Sequence, residues 1–379
     1  MATQTATTTS QPSETVSQLK FDTSINYKEN EYKYSHYLPH FKPGLQAPLE
    51  EFKHTDPGLR ADPTKAALLG VPGSSFQEIT PAVGTEVNGL QLSSLDSKQK
   101  DELALLVAER GILVFRGQDF ADIGFEKQKE FGEHFGKLHV HQHGGHVRDH
   151  PELLPVYRDF TYVLKCPTLI PYADVNDASR AGAVDNEIKN NVSSIKWHTD
   201  MSYEINGMGT TIFLALDTPQ SGGDTLYLST VAAYNALSPL YREKLHGLEA
   251  THSGFEQARV ADHKERYIRE PIETIHPVVR THPVTKSKSL YVNRLYTRRI
   301  QGLKEEESAN ILNFLYDHIE HGQDWHIRVH WTPGTVVVYD NRITQHSALR
   351  DFQVKEGQTR RHMLRITPQA ERPYFDLNA

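Results

Sequence analysis

Residues 334–350 read GTVVVYDNRITQHSALR, an apolar run that leads into a single histidine, His346. A second segment, WHTDMSYE at 197–204, sets His198 and Asp200 two positions apart in a stretch of strand character. A strand sends alternate side chains to opposite faces, so positions i and i+2 point the same way. His198 and Asp200 can therefore reach one ion from one strand, and His346 can complete the set from another. Two imidazoles and one carboxylate are the donors of a facial non-haem iron(II) site, which leaves other positions open for chemistry.

His-x-Asp alone is a weak signal in a chain with 21 histidines. The same tripeptide occurs at His54–Asp56, but there it runs into Pro57–Gly58, a turn dipeptide with no strand pattern around it. The copy at 198 differs through its neighbours Ile195, Trp197 and Tyr203, and through the arginines that follow His346. In TRRHMLRIT, strand parity turns Arg361, Met363 and Arg365 to one side and Arg360, His362 and Leu364 to the other. Four residues of strand span ~13 Å, too far for one carboxylate but suited to two anions flanking a metal. Arginine favours bidentate anion contacts; a strand laced with surface ion pairs is the competing reading.

In these residues the chain resembles the taurine dioxygenase (TauD/TfdA) family of iron(II)- and 2-oxoglutarate-dependent oxygenases, and within it the fungal sulfonate dioxygenase branch. The resemblance runs from about Ile79 to Phe375, through ERGILVFRGQ (109–118), FGKLHVH (135–141), WHTD (197–200), SGGDTLY (221–227), AAYNALS (232–238), HPVVRTHP (276–283), YDNRITQH (339–346) and RRHMLR (360–365). It implies that His198, Asp200 and His346 are the iron ligands. Arg361 and Thr225 match the residues that hold the distal carboxylate of the cosubstrate, and Arg365 and His141 match contacts to a substrate sulfonate. Met201 and Tyr203 fall at pocket-lining positions, and Trp331 at an aromatic position close to the iron. Thr225 also reads as a turn threonine bonding its own backbone after Gly222–Gly223.

Two positions depart from the family pattern. Ser194 stands where an asparagine contacts taurine, and Gly144 where an aromatic residue is expected. The anion end of the pocket is kept and the amine end is altered. The expectation is oxidation of a C–H bond in a small organic anion with O2 as oxidant. An alkyl sulfonate releasing sulfite comes first; a sulfate ester, an aryloxy acid or an amino acid is the alternative. Hydroxylation, desaturation and cyclisation are not separable from sequence. Two other classes compete: a His/Asp/His zinc hydrolase, which would have no need of Arg361, and a non-catalytic jelly-roll binding protein, which would have no need of an intact triad.

Other histidines read blandly. The run HVHQHGGH (139–146) lacks the spacing and the cysteine of a closed metal site. His276 and His282 sit in a Pro-punctuated strand region and read as packing or turn residues. A net charge of −7, from 41 basic and 48 acidic groups, argues against a nucleic-acid binder, and no run is long enough to cross a membrane. The single Cys166 excludes an internal disulfide and suits a reducing cytoplasm. A homo-oligomer is expected.

Residues 1–28, rich in Thr, Ser and Gln, read as a disordered tail without a secretory signal. Residues 29–78 read as an irregular arm wrapped on the domain or a second subunit, and residues 79–379 as the catalytic domain. Helices are expected over 97–109, 124–134, 231–246 and 304–320. Strands are expected over 112–117, 196–203, 210–217, 224–229, 288–293, 326–331, 335–340 and 361–367. Many strands with a few helices outside them point to a mainly β fold, a jelly-roll core with flanking helices, and the double-stranded β-helix is also what the resemblance implies. No internal repeat is visible.

Overall fold

The computed structural model describes residues 32–40, 46–142, 144–159, 196–260, 268–352 and 360–379. The expected tail at 1–28, Cys166 and Ser194 lie outside them. Strands in chain order are β1 (Ser75–Glu78), β2 (Thr85–Asn88), β3 (Ile112–Phe115), β4 (Leu153–Asp159) and β5 (Thr210–Asp217). Then follow β6 (Thr225–Ser229), β7 (Glu249–Ser253), β8 (Glu273–Pro277), β9 (Val279–Thr281) and β10 (Lys288–Leu290). The last are β11 (Thr297–Ile300), β12 (His326–Val329), β13 (Val336–Asp340), β14 (Thr344–Ala348) and β15 (Arg360–Ile366).

The main sheet has seven strands in the order β1-β2-β3-β13-β5-β15-β4, and a three-stranded sheet, β12-β6-β14, accompanies it. Residues Ile112, Val114, Phe213, Ala215, Val337 and Met363 of the main sheet form a core cluster with Tyr227, Ile327 and Val329 of the smaller one. The alternate residues Leu113, Phe115, Ile212, Leu214, Val338 and Leu364 join a second cluster with Leu103, Val107 and Phe131 of the helices Ser97–Arg110 and Phe125–Glu133. Both faces of the main sheet are buried. That is why TTIFLALD and VVVYD read as continuous apolar runs rather than alternating ones. A third cluster seats the helix Glu305–His321 over β7, β9, β10 and β11.

Sheet-rich architecture with outer helices agrees with the expected jelly roll. Three expected elements differ. The 231–246 helix is two, Thr230–Ala236 and Pro239–Leu245, because Ser238 caps the second and Pro239 opens it. The 196–203 strand shrinks to one bridge, His198 to His346. Its ladder stops because the Asn341 side chain takes the Asp200 N–H at 3.0 Å and Met201 turns to φ +39°. The arm is not strandless: β1 pairs with β2, so the sheet takes in residues just before the expected boundary at 79. The arm also lies on the domain, with Tyr37 donating to the Ala121 carbonyl at 2.7 Å and the Tyr32 hydroxyl 2.8 Å from His362 Nδ1.

Candidate active site

The His198 bridge holds two backbone bonds to His346, at 3.2 and 2.8 Å, which sets the two rings 4.3 Å apart. Asp200 Oδ1 lies 3.8 Å from His346 Nε2 and 4.0 Å from His198 Nε2. The three ligand atoms sit within 4.8 Å of one another, and all three residues are buried. His198 Nδ1 is 2.8 Å from the Lys196 carbonyl, which only accepts. The ring proton is therefore on Nδ1, and Nε2 keeps its lone pair for a metal. Asp200 Oδ2 accepts the Tyr339 hydroxyl at 2.8 Å, which leaves Oδ1 facing the imidazoles.

The electrostatics suit a cation. Burial pushes the Asp200 carboxyl up, but Arg365, His346, His198 and Tyr339 together hold it well below the usual carboxylate range. Burial pushes His346 down to about 3, with His198 and Arg365 adding to the effect. Burial lowers His198 as well. One carboxylate and two neutral imidazoles are the charge states a divalent metal requires.

Register explains the rest of the pocket. On β15, Arg365 pairs with Leu154 of β4 and Phe213 of β5, Met363 with Val156 and Ala215, and Arg361 with Arg158. Directly opposed residues share a face, so both arginines and an apolar wall of Leu154, Val156 and Phe213 line one cavity of about 980 Å³, open mouth included. Parity along β15 is as expected, since Met363 joins the cluster between the sheets and Leu364 the outer one.

Arg361 donates through Nε to the Gly223 carbonyl at 3.0 Å. Gly223 has φ +70°, and a Cβ there would come within 3.3 Å of Arg361 Cδ, so glycine is required twice over. Thr225 Oγ accepts from Trp331 Nε1 at 3.0 Å, so its own proton remains to be donated into the cavity it lines. Arg365 donates through Nη1 to Asp200 Oδ1 at 2.5 Å and stands 3.8 Å from Met201 Sδ; its buried Nε has no hydrogen-bond partner among the described residues.

Of the other expected residues, His141 and Met201 line the cavity. Tyr203 does not: it is fully buried behind Tyr296, which lines the cavity in its place, ring to ring at 5.0 Å. Position 203 is opposite in strand parity to His198 and Asp200, and only the family resemblance placed Tyr203 at the pocket; the turn at Met201 brings that residue, not Tyr203, to the cavity. Trp331 stands behind Thr225 and edge-on to Phe213 at 5.3 Å. Gly144 has φ +91°, and a Cβ there would touch only Leu154. The decoy at His54–Asp56 is structural: Asp56 pairs with buried Arg342 at 2.5 Å. His276 and His282 face Glu204 and Asp340 inside the protein.

Sequence reasoning did not find Tyr339, Asn341, Tyr296, Arg158 or Arg350. Tyr339 was within reach, since Val337 and Tyr339 share a face of a recognised strand. Arg158 lies on β4, an unrecognised strand interrupted by Pro155.

Residues 75–367 match the family described as taurine catabolism dioxygenase TauD, TfdA family. The chain is similar to a Saccharomyces cerevisiae protein named alpha-ketoglutarate-dependent sulfonate dioxygenase, at 43% identity over 93% of this chain and 81% of that one. It is also similar to a Penicillium expansum protein named alpha-ketoglutarate-dependent dioxygenase cnsP, at 42% identity over 90% of this chain and 87% of that one. Among solved structures, one described as a putative alpha-ketoglutarate-dependent taurine dioxygenase from Burkholderia xenovorans superimposes with a TM-score of 0.61 at 25% identity, over 79% of this chain and 94% of that one.

Proposed function

The chain belongs to the TauD/TfdA family of 2-oxoglutarate-dependent dioxygenases, and from that premise we propose that it oxidises an alkyl sulfonate at the carbon bearing sulfur. His198 Nε2, Asp200 Oδ1 and His346 Nε2 hold iron(II); the ring proton fixed on His198 Nδ1 and the lowered Asp200 carboxyl are what support this. Bound iron(II) with 2-oxoglutarate supplies the oxidant, consuming O2 and releasing succinate and carbon dioxide as one substrate C–H bond becomes C–OH. A hydroxyl on the carbon bearing a sulfonate expels sulfite and leaves an aldehyde.

Every other task falls to side chains. Arg361 and the Thr225 hydroxyl bind the distal carboxylate of the cosubstrate. Arg365 and His141 take the sulfonate of the substrate, with Met201 beside them and Ser194 as a further contact. Leu154, Val156 and Phe213 exclude water and receive the carbon chain, which orients its first carbon toward the metal ligands. The observation that carries the reading is the β15 register, which turns Arg361 and Arg365 into one cavity while Arg365 reaches the ligand carboxylate.

The apolar wall and Gly144 favour a longer alkyl chain over taurine, whose ammonium would lie against Leu154, Val156 and Phe213. A panel of taurine, longer alkyl sulfonates, alkyl sulfates and branched amino acids, scored by succinate and sulfite release, tests this. Preference for a long alkyl sulfonate with matching sulfite release is the expected outcome. Preference for taurine removes the alkyl-chain argument, and preference for an uncharged compound removes the Arg365 argument. We further propose a cytoplasmic homo-oligomer whose partner is a small dissolved anion rather than nucleic acid or a membrane. The acidic balance argues against nucleic acid as the partner, and among the described residues no helix is long and apolar enough to cross a membrane.

A further inference from the structure

We infer that Glu204 and Arg269 form a positioning pair that sets His141 in the cavity and so governs how tightly the anionic end of the substrate is held; the inference rests on the reading of His141 given above. The segment His139–Gln142 carries no regular structure, yet each of its residues is tied down. The His139 N–H donates to the Thr367 carbonyl at 2.8 Å, two residues beyond Arg365. Arg269 Nη1 donates to the Val140 carbonyl at 2.7 Å. The His141 carbonyl takes His146 Nε2 at 3.1 Å, and the Gln142 carbonyl takes the Ile268 N–H at 2.8 Å.

Glu204 is the hub of this arrangement. Its Oε1 accepts Arg269 Nη2 at 3.0 Å and lies 3.1 Å from His139 Nε2, and that ring nitrogen is itself 3.0 Å from Arg269 Nη2, so the three groups close a triangle. The pair is almost wholly excluded from water. Burial pushes the Glu204 carboxyl up, and the His139 and Arg269 contacts bring it below its ordinary value. Glu204 also closes the turn that begins at the iron-ligand end, since its N–H donates to the Met201 carbonyl at 3.0 Å. One carboxylate thus joins the Asp200 turn to the segment that presents His141.

A buried ion pair is a poor source of stability, because desolvation offsets the attraction. What it supplies is fixed geometry: one planar guanidinium fork reaches a carboxylate and a backbone carbonyl from two nitrogens at a set spacing, where a lysine would have to reach both from one rotatable ammonium. The turn after Asp200 and the segment before Gln142 are thereby held at one distance. His141 and the ligand set then face the same bound molecule from a constant separation.

The test is a double-mutant cycle in the iron-loaded enzyme, with hexanesulfonate as probe. Glu204→Gln is expected to raise the KM for hexanesulfonate about tenfold or more, with the KM for 2-oxoglutarate and its consumption without sulfonate within about twofold. His141→Ala should raise the sulfonate KM by a similar factor, and adding Glu204→Gln to it should change little further. A merely structural role would instead lower kcat by the same factor in both backgrounds. If His141→Ala alone leaves the sulfonate KM unchanged, both the His141 reading and this inference fall. If His141→Ala raises it and Glu204→Gln does not, only the inference falls. Arg269→Lys keeps the buried cation but loses the fork, and the same cycle with it decides the question should Glu204→Gln not fold.

Discussion

Two buried carboxylates next to arginine, Asp200 and Asp340, sit in one molecule and are finished differently. Around Asp340 every valence is closed. Arg342 donates to it from Nε at 2.8 Å, from Nη2 at 2.7 Å and from its own N–H at 2.9 Å, and His282 Nε2 meets it at 3.0 Å. The third guanidinium nitrogen goes to Asp56 at 2.5 Å and toward Glu371. Around Asp200 the set is left open: one hydroxyl on Oδ2, one guanidinium on Oδ1, and two imidazole nitrogens near 4 Å that make no hydrogen bond to it. The Arg365 Nε is buried without a hydrogen-bond partner among the described residues. Closure makes the Arg342 cluster a joint between the arm, β13 and the C-terminal segment. Openness makes the Asp200 cluster a place for something to bind.

The contrast breaks most sharply on His198→Ala. Turnover should fall below detection even with added iron, while the unfolding midpoint stays within a few degrees, because the ring serves a ligand and not the core. Retained activity in the purified variant would sink the assignment, and the same change at His54 should leave activity nearly intact. Arg342→Met should do the reverse. It strands Asp340, Asp56 and Glu371, and loss of one partner from a buried charge cluster costs about 3–5 kcal/mol. Denaturant unfolding reads that loss directly, and a change under 1 kcal/mol would show that the joint contributes nothing. In molecules that remain folded, 2-oxoglutarate affinity should be close to normal.

Within the open region the two arginines should separate. Arg361→Ala removes a charge-assisted contact in a closed site, about 2 kcal/mol or more, and should raise the KM for 2-oxoglutarate by about 30-fold. Arg365→Ala should weaken the prime substrate and leave cosubstrate decay measurable in its absence. If both variants weaken only 2-oxoglutarate, Arg365 is not a substrate residue.

The smallest effect per group comes from pH, and it belongs to the closed regions. Burial holds His146 and His276 down to about 4 and His362 down to about 3. An unfolded histidine protonates near 6.5, so below that pH the unfolded chain binds more protons than the folded one. The stability each ring contributes is complete above about 6.5 and fades as pH falls toward 4 for His146 and His276, and toward 3 for His362. At pH 6 each costs about 0.8 kcal/mol relative to high pH. Unfolding free energies measured from pH 8 to 5 should fall with acid, and a flat profile would contradict neutral burial of these rings.

The open region was far more legible in the sequence than the closed one, for a physical reason. A ligand set must converge on one point, so it leaves spacing behind: His-x-Asp, a distant histidine, and two arginines four residues apart on a strand. The joint at Arg342 needs only that Asp56, Asp340 and Glu371 arrive at the same place. Asp340 lies two residues away, but Asp56 is far off in the arm and part of a tripeptide that mimics a metal motif. The strands β7 and β11 were missed in the same way, and β8 and β9 were read only as a Pro-punctuated strand region without bounds. They are short and carry His, Thr and Arg; β7, β9 and β11 are fixed by the helix Glu305–His321 lying over them, and β8 by its pairing with β7, rather than by their own pattern. Met201 shows the limit of parity itself: out of phase with His198 and Asp200, it lines the cavity because the backbone turns there to φ +39°.

The alternation along β15 separates what this enzyme can change from what it must keep. Positions 361 and 365 line the cavity, position 363 packs between the two sheets, and positions 362, 364 and 366 meet the arm and the outer helices. A lineage could therefore rewrite its chemistry on one set without disturbing the architecture held by the other. On the proposed reading, variation at position 365 would redirect substrate choice at little risk to folding, while 361 stays tied to the cosubstrate and 363 to the core. Insertion of one residue would exchange the two sets and forfeit both, so this strand is free to vary in composition but not in length.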